Sequence, residues 1–166
     1  MRLYILRHGE AATPANGGAS ALTALGRSQA SKVASLLAED QSPQLILHSP
    51  KLRAVQTMEE VRSAVPGASC EVAPALAPES SPTAVEELLA AHDQGSILLI
   101  SHLPLVAGLV AWFCSGDSRD FPLPGYSPAG LVALDMEPAA RGCGIIAYTA
   151  FGPDYVCQEF AKGRLS

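Results

Sequence analysis

The sequence lacks any hydrophobic run of the ~18–20 residues that a transmembrane helix needs, so it predicts no membrane span. No stretch is basic enough for general nucleic-acid binding, and the net charge of −5 with a pI near 5.3 argues against it too. The chain enters an apolar segment directly from Met1-Arg2-Leu3, with no signal-peptide pattern. We therefore expect a cytoplasmic protein.

Paired cysteines are also absent. The four cysteines lie far apart and form no Cys-x-x-Cys motif: Cys70, Cys114, Cys143 and Cys157. This spacing argues against a zinc cluster or a disulfide framework, and we expect buried, reduced thiols. No spacing of His, Asp and Glu typical of a metal site occurs either, and no cofactor is predicted.

The composition fits a single domain spanning residues 1–166. Of the 166 residues, 48 % are hydrophobic and 16 % are charged, which is ample apolar material for one core. Because no internal repeat and no coiled-coil seam or dimer arm is recognisable, we expect a monomer.

Strand patterns alternate with helix patterns along the chain. Helical spacing predicts four helices, with Thr23 capping the first and Ser49-Pro50 starting the second. The helices are expected at 23–39, 50–65, 83–92 and 104–114, and the strands at 2–7, 44–49, 70–73, 96–101, 130–135 and 144–150. The last sixteen residues are expected to be irregular or a short terminal element. This order predicts a three-layer α/β/α sandwich around a mostly parallel, mixed six-stranded sheet, with the last two strands antiparallel.

The first predicted strand ends in Arg7-His8-Gly9, which is a plausible anion-binding sequence. Gly9 allows a sharp turn and close approach of a ligand. Arg7 offers a planar fork of donors that suits phosphate, and His8 can act as acid, base or nucleophile near neutral pH.

Two further polar segments follow predicted strands. Arg53 lies on the first turn after the second strand, and His102 follows the fourth strand at once. Because ligands of parallel α/β sheets bind beyond the carboxyl ends of the strands, these side chains are expected to meet Arg7 and His8 at one edge. Ser49 is interpreted as a helix cap rather than a catalytic group.

Two guanidinium groups and two imidazoles at one site favour phosphoryl transfer. Arginines and one imidazole would stabilise charge on the equatorial phosphoryl oxygens, without a magnesium ion. The other imidazole would be a neutral nucleophile, because nearby arginines lower its pKa.

Three further motifs follow Arg7-His8-Gly9 in the order found in a known family. They are Leu22-Thr23-Ala24-Leu25-Gly26, the segment from Ser49-Pro50 to Gln56-Thr57, and Ser101-His102. Together they resemble the histidine phosphatase (phosphoglycerate-mutase-like) superfamily over nearly the whole chain. The short length and the run Ser101-His102-Leu103-Pro104-Leu105-Val106 look most similar to the SixA-like branch of small phosphohistidine phosphatases.

The resemblance implies that His8 is the nucleophile and becomes a transient phosphohistidine. It also implies that Arg7, Arg53 and His102 complete the phosphate pocket. The expected substrate is a phosphohistidine-bearing protein, such as a phosphotransfer domain, because short loops at 9–21, 74–82 and 115–127 leave an open site.

Two alternatives stay open at this point. A small-molecule phosphomonoesterase needs a general acid for its alkoxide leaving group, and Glu79, or less directly Glu10, is the candidate. The branch often carries Arg-Pro before its Leu-Thr-x-x-Gly element where this chain has Ser20-Ala21, which puts the identity of the phosphoprotein in question. The second alternative is a non-catalytic phosphate-binding regulatory module.

Overall fold

All strands of the computed structural model belong to one seven-stranded sheet, within the described residues 1–123, 125–152 and 156–159. The strands are β1 Arg2–Arg7, β2 Leu45–His48, β3 Ser69–Val72, β4 Ser96–Ser101, β5 Leu131–Met136, β6 Gly144–Phe151 and β7 Val156–Glu159. The helices are α1 Ala24–Glu39, α2 Leu52–Ala64, α3 Pro82–Ala90 and α4 Leu105–Ser115, with a 3₁₀ turn at Pro74–Leu76.

The sheet has the order β3-β2-β4-β1-β5-β6-β7, which places β1 at its centre. The pairs β1–β4, β2–β4 and β2–β3 are parallel, whereas β1–β5, β5–β6 and β6–β7 are antiparallel. The predicted mixed sheet is therefore confirmed, with parallel and antiparallel pairs in equal number, as is the antiparallel pairing of the fifth and sixth strands.

Each face of the sheet carries a separate apolar core, as the predicted three-layer sandwich requires. One core packs Leu3, Ile5 and Leu99 of the sheet against α3 and α4. The other packs Tyr4 and Leu6 against α1 and α2. Successive residues of β1 alternate between the two cores because side chains of a strand point to opposite faces.

The sheet has one strand more than the six predicted. Val156–Glu159 pairs antiparallel with β6 inside the segment expected to be irregular or a short terminal element. In the same segment Phe151 is the last residue of β6, and residues 153–155 and 160–166 lie outside the described part of the chain. Four residues without a marked apolar pattern become a strand here because β6 offers them an edge to pair with.

Helix α1 begins as predicted. The hydroxyl of Thr23 accepts a hydrogen bond from the Gly26 amide, and the predicted apolar stripe of Ala30, Val33 and Leu37 is buried. Helix α2 differs from the prediction, because it starts at Leu52 with Lys51 as the N-cap residue and no side-chain cap. The predicted start at Ser49-Pro50 is therefore two residues too early.

The cysteines are less buried than predicted. Cys70, Cys114 and Cys143 are free thiols and half-buried, whereas the side chain of Cys157 lies outside the described residues. Within the part of the chain that the structure describes, no helix is long and apolar enough to cross a membrane.

Candidate active site

Three parallel strands deliver the predicted site residues to one edge of the sheet. Arg7 pairs with Ser101 in the last register position of β1 and β4, and His8 and His102 follow these two residues directly. His48, the last residue of β2, pairs with Ile100, and Arg53 follows in the first turn of α2. The convergence expected from the strand order is present.

A single guanidinium nitrogen joins the two imidazoles. Nε of Arg53 lies 3.1 Å from Nε2 of His8 and 3.1 Å from Nδ1 of His102. The ring centroids of the two histidines are 4.9 Å apart, with an angle of 52° between the rings. The Nε–H of Arg53 is a donor only, so both imidazole nitrogens that face it accept.

The surroundings of His8 make it a neutral base. Its Nδ1 lies 2.7 Å from the carbonyl oxygen of Gly9 and must carry the proton, since a carbonyl only accepts. Its Nε2 therefore bears the lone pair that faces Arg53. Burial, opposed by the Gly9 hydrogen bond and assisted by the charges of Arg53 and Arg7, lowers the pKa of His8 to about 4. A neutral imidazole with its lone pair facing a guanidinium is a suitable nucleophile for phosphorus.

His102 is more deeply enclosed, with only 1 % of its surface exposed. Burial, together with the neighbouring His8, Arg53 and Lys51, lowers its pKa to about 3. Its Nε2 lies 2.8 Å from the hydroxyl of Ser49, which is fully buried. The effect of the Lys51 charge on the pKa of His102 makes this lysine an additional cation near the site, which the sequence did not single out.

Arg7 is anchored by the segment that precedes β5. One terminal nitrogen of its guanidinium donates to the carbonyl oxygen of Tyr126 at 2.7 Å, and its backbone amide donates to Gly130. The phenol of Tyr126 is itself buried and donates back to the Ile5 carbonyl of β1. No local pattern indicated this role for Tyr126, which is 119 residues away from Arg7 in sequence.

The turn after His8 is held from two sides. The Gly9 amide donates to Oγ1 of Thr57, and the same hydroxyl donates to the Arg53 carbonyl at 2.7 Å. On the other side, a Cβ atom added at Gly9 would lie 2.4 Å from the carbonyl oxygen of Gly26. Gly9 is therefore required for close approach of α1, and Thr57 links the backbones that carry His8 and Arg53.

The two candidate acids occupy different environments. The Glu10 carboxylate accepts a hydrogen bond from the Thr23 hydroxyl at 2.9 Å, so it supports the N-terminus of α1. Glu79 lies on the loop between the 3₁₀ turn and α3, and its side chain is exposed. The structure thus gives Glu10 a structural contact and places Glu79 in solvent.

The loop over residues 9–21 closes as a narrow hairpin. Ala11 bridges Leu22, the Ala12 amide donates to Ala21, and the Leu22 amide donates to Oε1 of Gln56 on α2. Within the described residues, no group of three or more His, Cys, Asp or Glu side chains is placed to hold a metal ion. The predicted role of this loop over the site and the absence of a cofactor stay predictions.

Comparison with known proteins places these motifs in one family. The sequence profile of the histidine phosphatase superfamily (branch 1) matches residues 3–77. Phosphohistidine phosphatase SixA of Escherichia coli (strain K12) is 33 % identical over 148 residues, which is 86 % of this chain and 89 % of that protein.

Solved structures agree with this similarity. The structure of the protein histidine phosphatase SixA complexed with tungstate has a TM-score of 0.74 and 31 % identity, covering 90 % of this chain and 96 % of that one. A mycobacterial glucosyl-3-phosphoglycerate phosphatase complexed with VO₃ has a TM-score of 0.66 at 20 % identity, covering 87 % and 95 %. The second likeness bears on the fold alone.

Proposed function

Since the chain belongs to the histidine phosphatase superfamily and is a phosphatase, we propose that it removes the phosphoryl group from phosphohistidine on a protein. The observation that carries this proposal is the cluster in which Arg53 contacts both His8 and His102 at 3.1 Å. The 33 % identity to SixA over most of both chains supports the choice of substrate.

His8 is the nucleophile in the proposed reaction. Its Nε2 lone pair forms a bond to phosphorus while the phosphorus–nitrogen bond of the substrate breaks, and the departing imidazole, protonated by solvent water on its other ring nitrogen, keeps that electron pair. Water then bonds to phosphorus and the bond to Nε2 of His8 breaks, which releases inorganic phosphate and restores the free base. Arg7, Arg53 and His102 stabilise the charge on the equatorial phosphoryl oxygens in both steps.

The leaving group explains why the proposed reaction needs no dedicated acid from the protein. A protonated imidazole leaves readily, whereas the alkoxide of a sugar phosphate requires a proton donor. Glu79 is exposed to solvent and the Glu10 carboxylate is engaged by the Thr23 hydroxyl, so neither carboxyl is held as a proton donor for an alkoxide. This arrangement favours phosphohistidine over a small phosphomonoester.

The surface around the site also favours a protein substrate. Three exposed large apolar side chains adjoin site residues in the chain: Leu25 next to Gly26, Leu52 next to Arg53 and Leu103 next to His102. Exposed leucines beside a phosphate pocket fit a partner surface better than a free metabolite. We propose a phosphohistidine-bearing protein, such as a phosphotransfer domain, as the partner of a monomeric cytoplasmic enzyme.

The test is loss of label from a carrier protein phosphorylated on histidine, with wild type beside His8→Ala. We expect wild type to release phosphate and His8→Ala to leave the label in place. Label that persists with both proteins contradicts the proposal. Loss of label at equal rates with both contradicts the role of His8.

A matched variant, Glu79→Gln, separates the two substrate classes. Under the proposal it hydrolyses phosphohistidine at the wild-type rate, because no carboxylic acid is needed. Efficient hydrolysis of sugar phosphates by wild type that Glu79→Gln abolishes would instead favour the small-molecule phosphomonoesterase.

A further inference from the structure

Ser49 follows β2 at the edge of the sheet and does not cap α2, although its sequence context predicts a cap. Its side chain has no exposed surface, and its hydroxyl oxygen lies 2.8 Å from Nε2 of His102. The same oxygen accepts from the Lys51 amide at 3.3 Å. A buried hydroxyl in contact with a buried imidazole has consequences for where the imidazole carries its proton.

The contacts of His102 determine its tautomer. Arg53 presents an Nε–H to Nδ1 of His102, so Nδ1 must carry the lone pair. The single proton of the neutral ring is then on Nε2, and Nε2 donates to the Ser49 oxygen. His8 has the opposite tautomer, since its Nδ1–H donates to Gly9 and its Nε2 accepts.

We propose that Ser49 is a positioning residue that holds His102 as the Nε2–H tautomer, so that Nδ1 is the nitrogen that gains and loses a proton beside the phosphoryl group. The Nε2–H donates to Ser49 in the neutral and the cationic form alike. When a phosphoryl dianion binds, Nδ1 gives up its contact with the Arg53 Nε–H, takes a proton from solvent and donates it to a phosphoryl oxygen. The tautomer follows from the contacts alone, and only its kinetic consequence rests on the proposed function.

Loss of the Ser49 hydroxyl has two expected effects. The buried Nε2–H of His102 is left without its acceptor, which is costly in the interior. Moving the proton to Nδ1 relieves this cost but sets an N–H of His102 against the N–H of Arg53. Either outcome changes the group that faces the phosphoryl oxygens.

Ser101→Ala provides a matched control. Ser101 is also fully buried at the same edge of the sheet, and its hydroxyl donates to the Leu76 carbonyl at 2.7 Å rather than to an imidazole. Both substitutions remove one buried serine hydroxyl. Loss of a buried hydrogen bond should therefore lower the melting temperature of both variants. Only Ser49→Ala should also change the tautomer of His102.

The first test is nitrogen-15 NMR of the imidazoles at neutral pH, which is tractable because the chain has four histidines. Signals are assigned by their loss in His8→Asn and His102→Asn. We expect Nδ1–H for His8 and Nε2–H for His102 in wild type and Ser101→Ala, a changed His102 signal in Ser49→Ala, and restoration in Ser49→Thr. An Nδ1–H tautomer of His102 in wild type overturns the proposal without any Ser49 variant.

The second test is steady-state hydrolysis of a phosphohistidine-labelled carrier. By analogy with groups that orient metal-bound histidines, Ser49→Ala should lower kcat by about 10–100-fold and leave KM nearly unchanged. Ser49→Thr and Ser101→Ala should stay within about threefold of wild type. Equal kcat values for wild type and Ser49→Ala overturn the positioning role. An inactive wild type contradicts the proposed function instead, and leaves the NMR test to decide the tautomer.

Discussion

Acidification from pH 7.5 to pH 5.5 should leave the His8 imidazole almost entirely neutral. Burial, opposed by the hydrogen bond to Gly9 and assisted by the charges of Arg53 and Arg7, lowers the pKa of His8 to about 4. At pH 5.5 an imidazole with this pKa is about 97 % neutral, whereas one with an ordinary pKa near 6.5 is only about 9 % neutral. Ionisation of the nucleophile should therefore cost less than twofold in kcat/KM over this range, instead of about tenfold.

The direct measurement is an NMR titration of the His8 ring between pH 4.5 and pH 8, with the signal assigned by its loss in His8→Asn. The urea-unfolded chain serves as the control, because its imidazoles titrate near the ordinary value. We expect the His8 signal to stay constant from pH 8 to about pH 5.5 and to move only below that. A folded-state midpoint between pH 6 and pH 7 would refute the account of burial and paired arginines.

The lowered pKa values also determine in which direction stability changes with pH. The folded-state pKa values of His8 and His102 lie below those of the unfolded chain, so the unfolded chain binds more protons between about pH 4 and pH 6.5. The contribution of the neutral rings to stability is present above about pH 6.5. It is lost progressively as the pH falls through this window.

Other contacts lead to two further predictions. Thr57→Val should lower the free energy of unfolding by about 1–3 kcal/mol in urea titrations, because the buried Gly9 amide loses its acceptor. Thr13→Val, at an exposed position, should have little effect. Equal losses for both variants would contradict this reasoning. Burial raises the pKa of Asp40, but hydrogen bonds from two tyrosines and the charge of Arg2 bring it below its ordinary value overall. The stabilisation from Asp40 is therefore present at neutral pH and lost as pH falls through the acid range, so the melting-temperature gap between wild type and Asp40→Asn should shrink from pH 7 to pH 3; a constant gap would argue against a titrating carboxylate.

Elements with a strong local pattern were predictable from the sequence. The uninterrupted apolar run of β4 and the capped, periodic stripe of α1 are each formed by neighbouring residues, so they were recognised without knowledge of the fold. The start of α2 was not, because the Ser49 hydroxyl bonds to a histidine 53 residues further along the chain. The strand Val156–Glu159 was missed since its pairing depends on the free edge of β6.

The site shows the same division. Arg7, His8, Arg53 and His102 were predicted because each follows a strand or begins the helix after one. The contacts of Thr57 with Gly9 and of Tyr126 with Arg7 join segments that are distant in sequence, and no spacing rule predicts them. For the same reason Ser49 was predicted to cap α2, whereas its hydroxyl contacts His102.

The sequence by itself determined which side chains reach the carboxyl edge of the sheet, because strand periodicity and the parallel order of the strands decide that. Only the tertiary structure decided how those side chains are charged and oriented. Burial of His8 and His102 depends on packing from several elements, and the single Nε–H of Arg53 sets which nitrogen of each ring accepts. Protonation state and tautomer follow from distances between segments, and distances exist only in the folded chain.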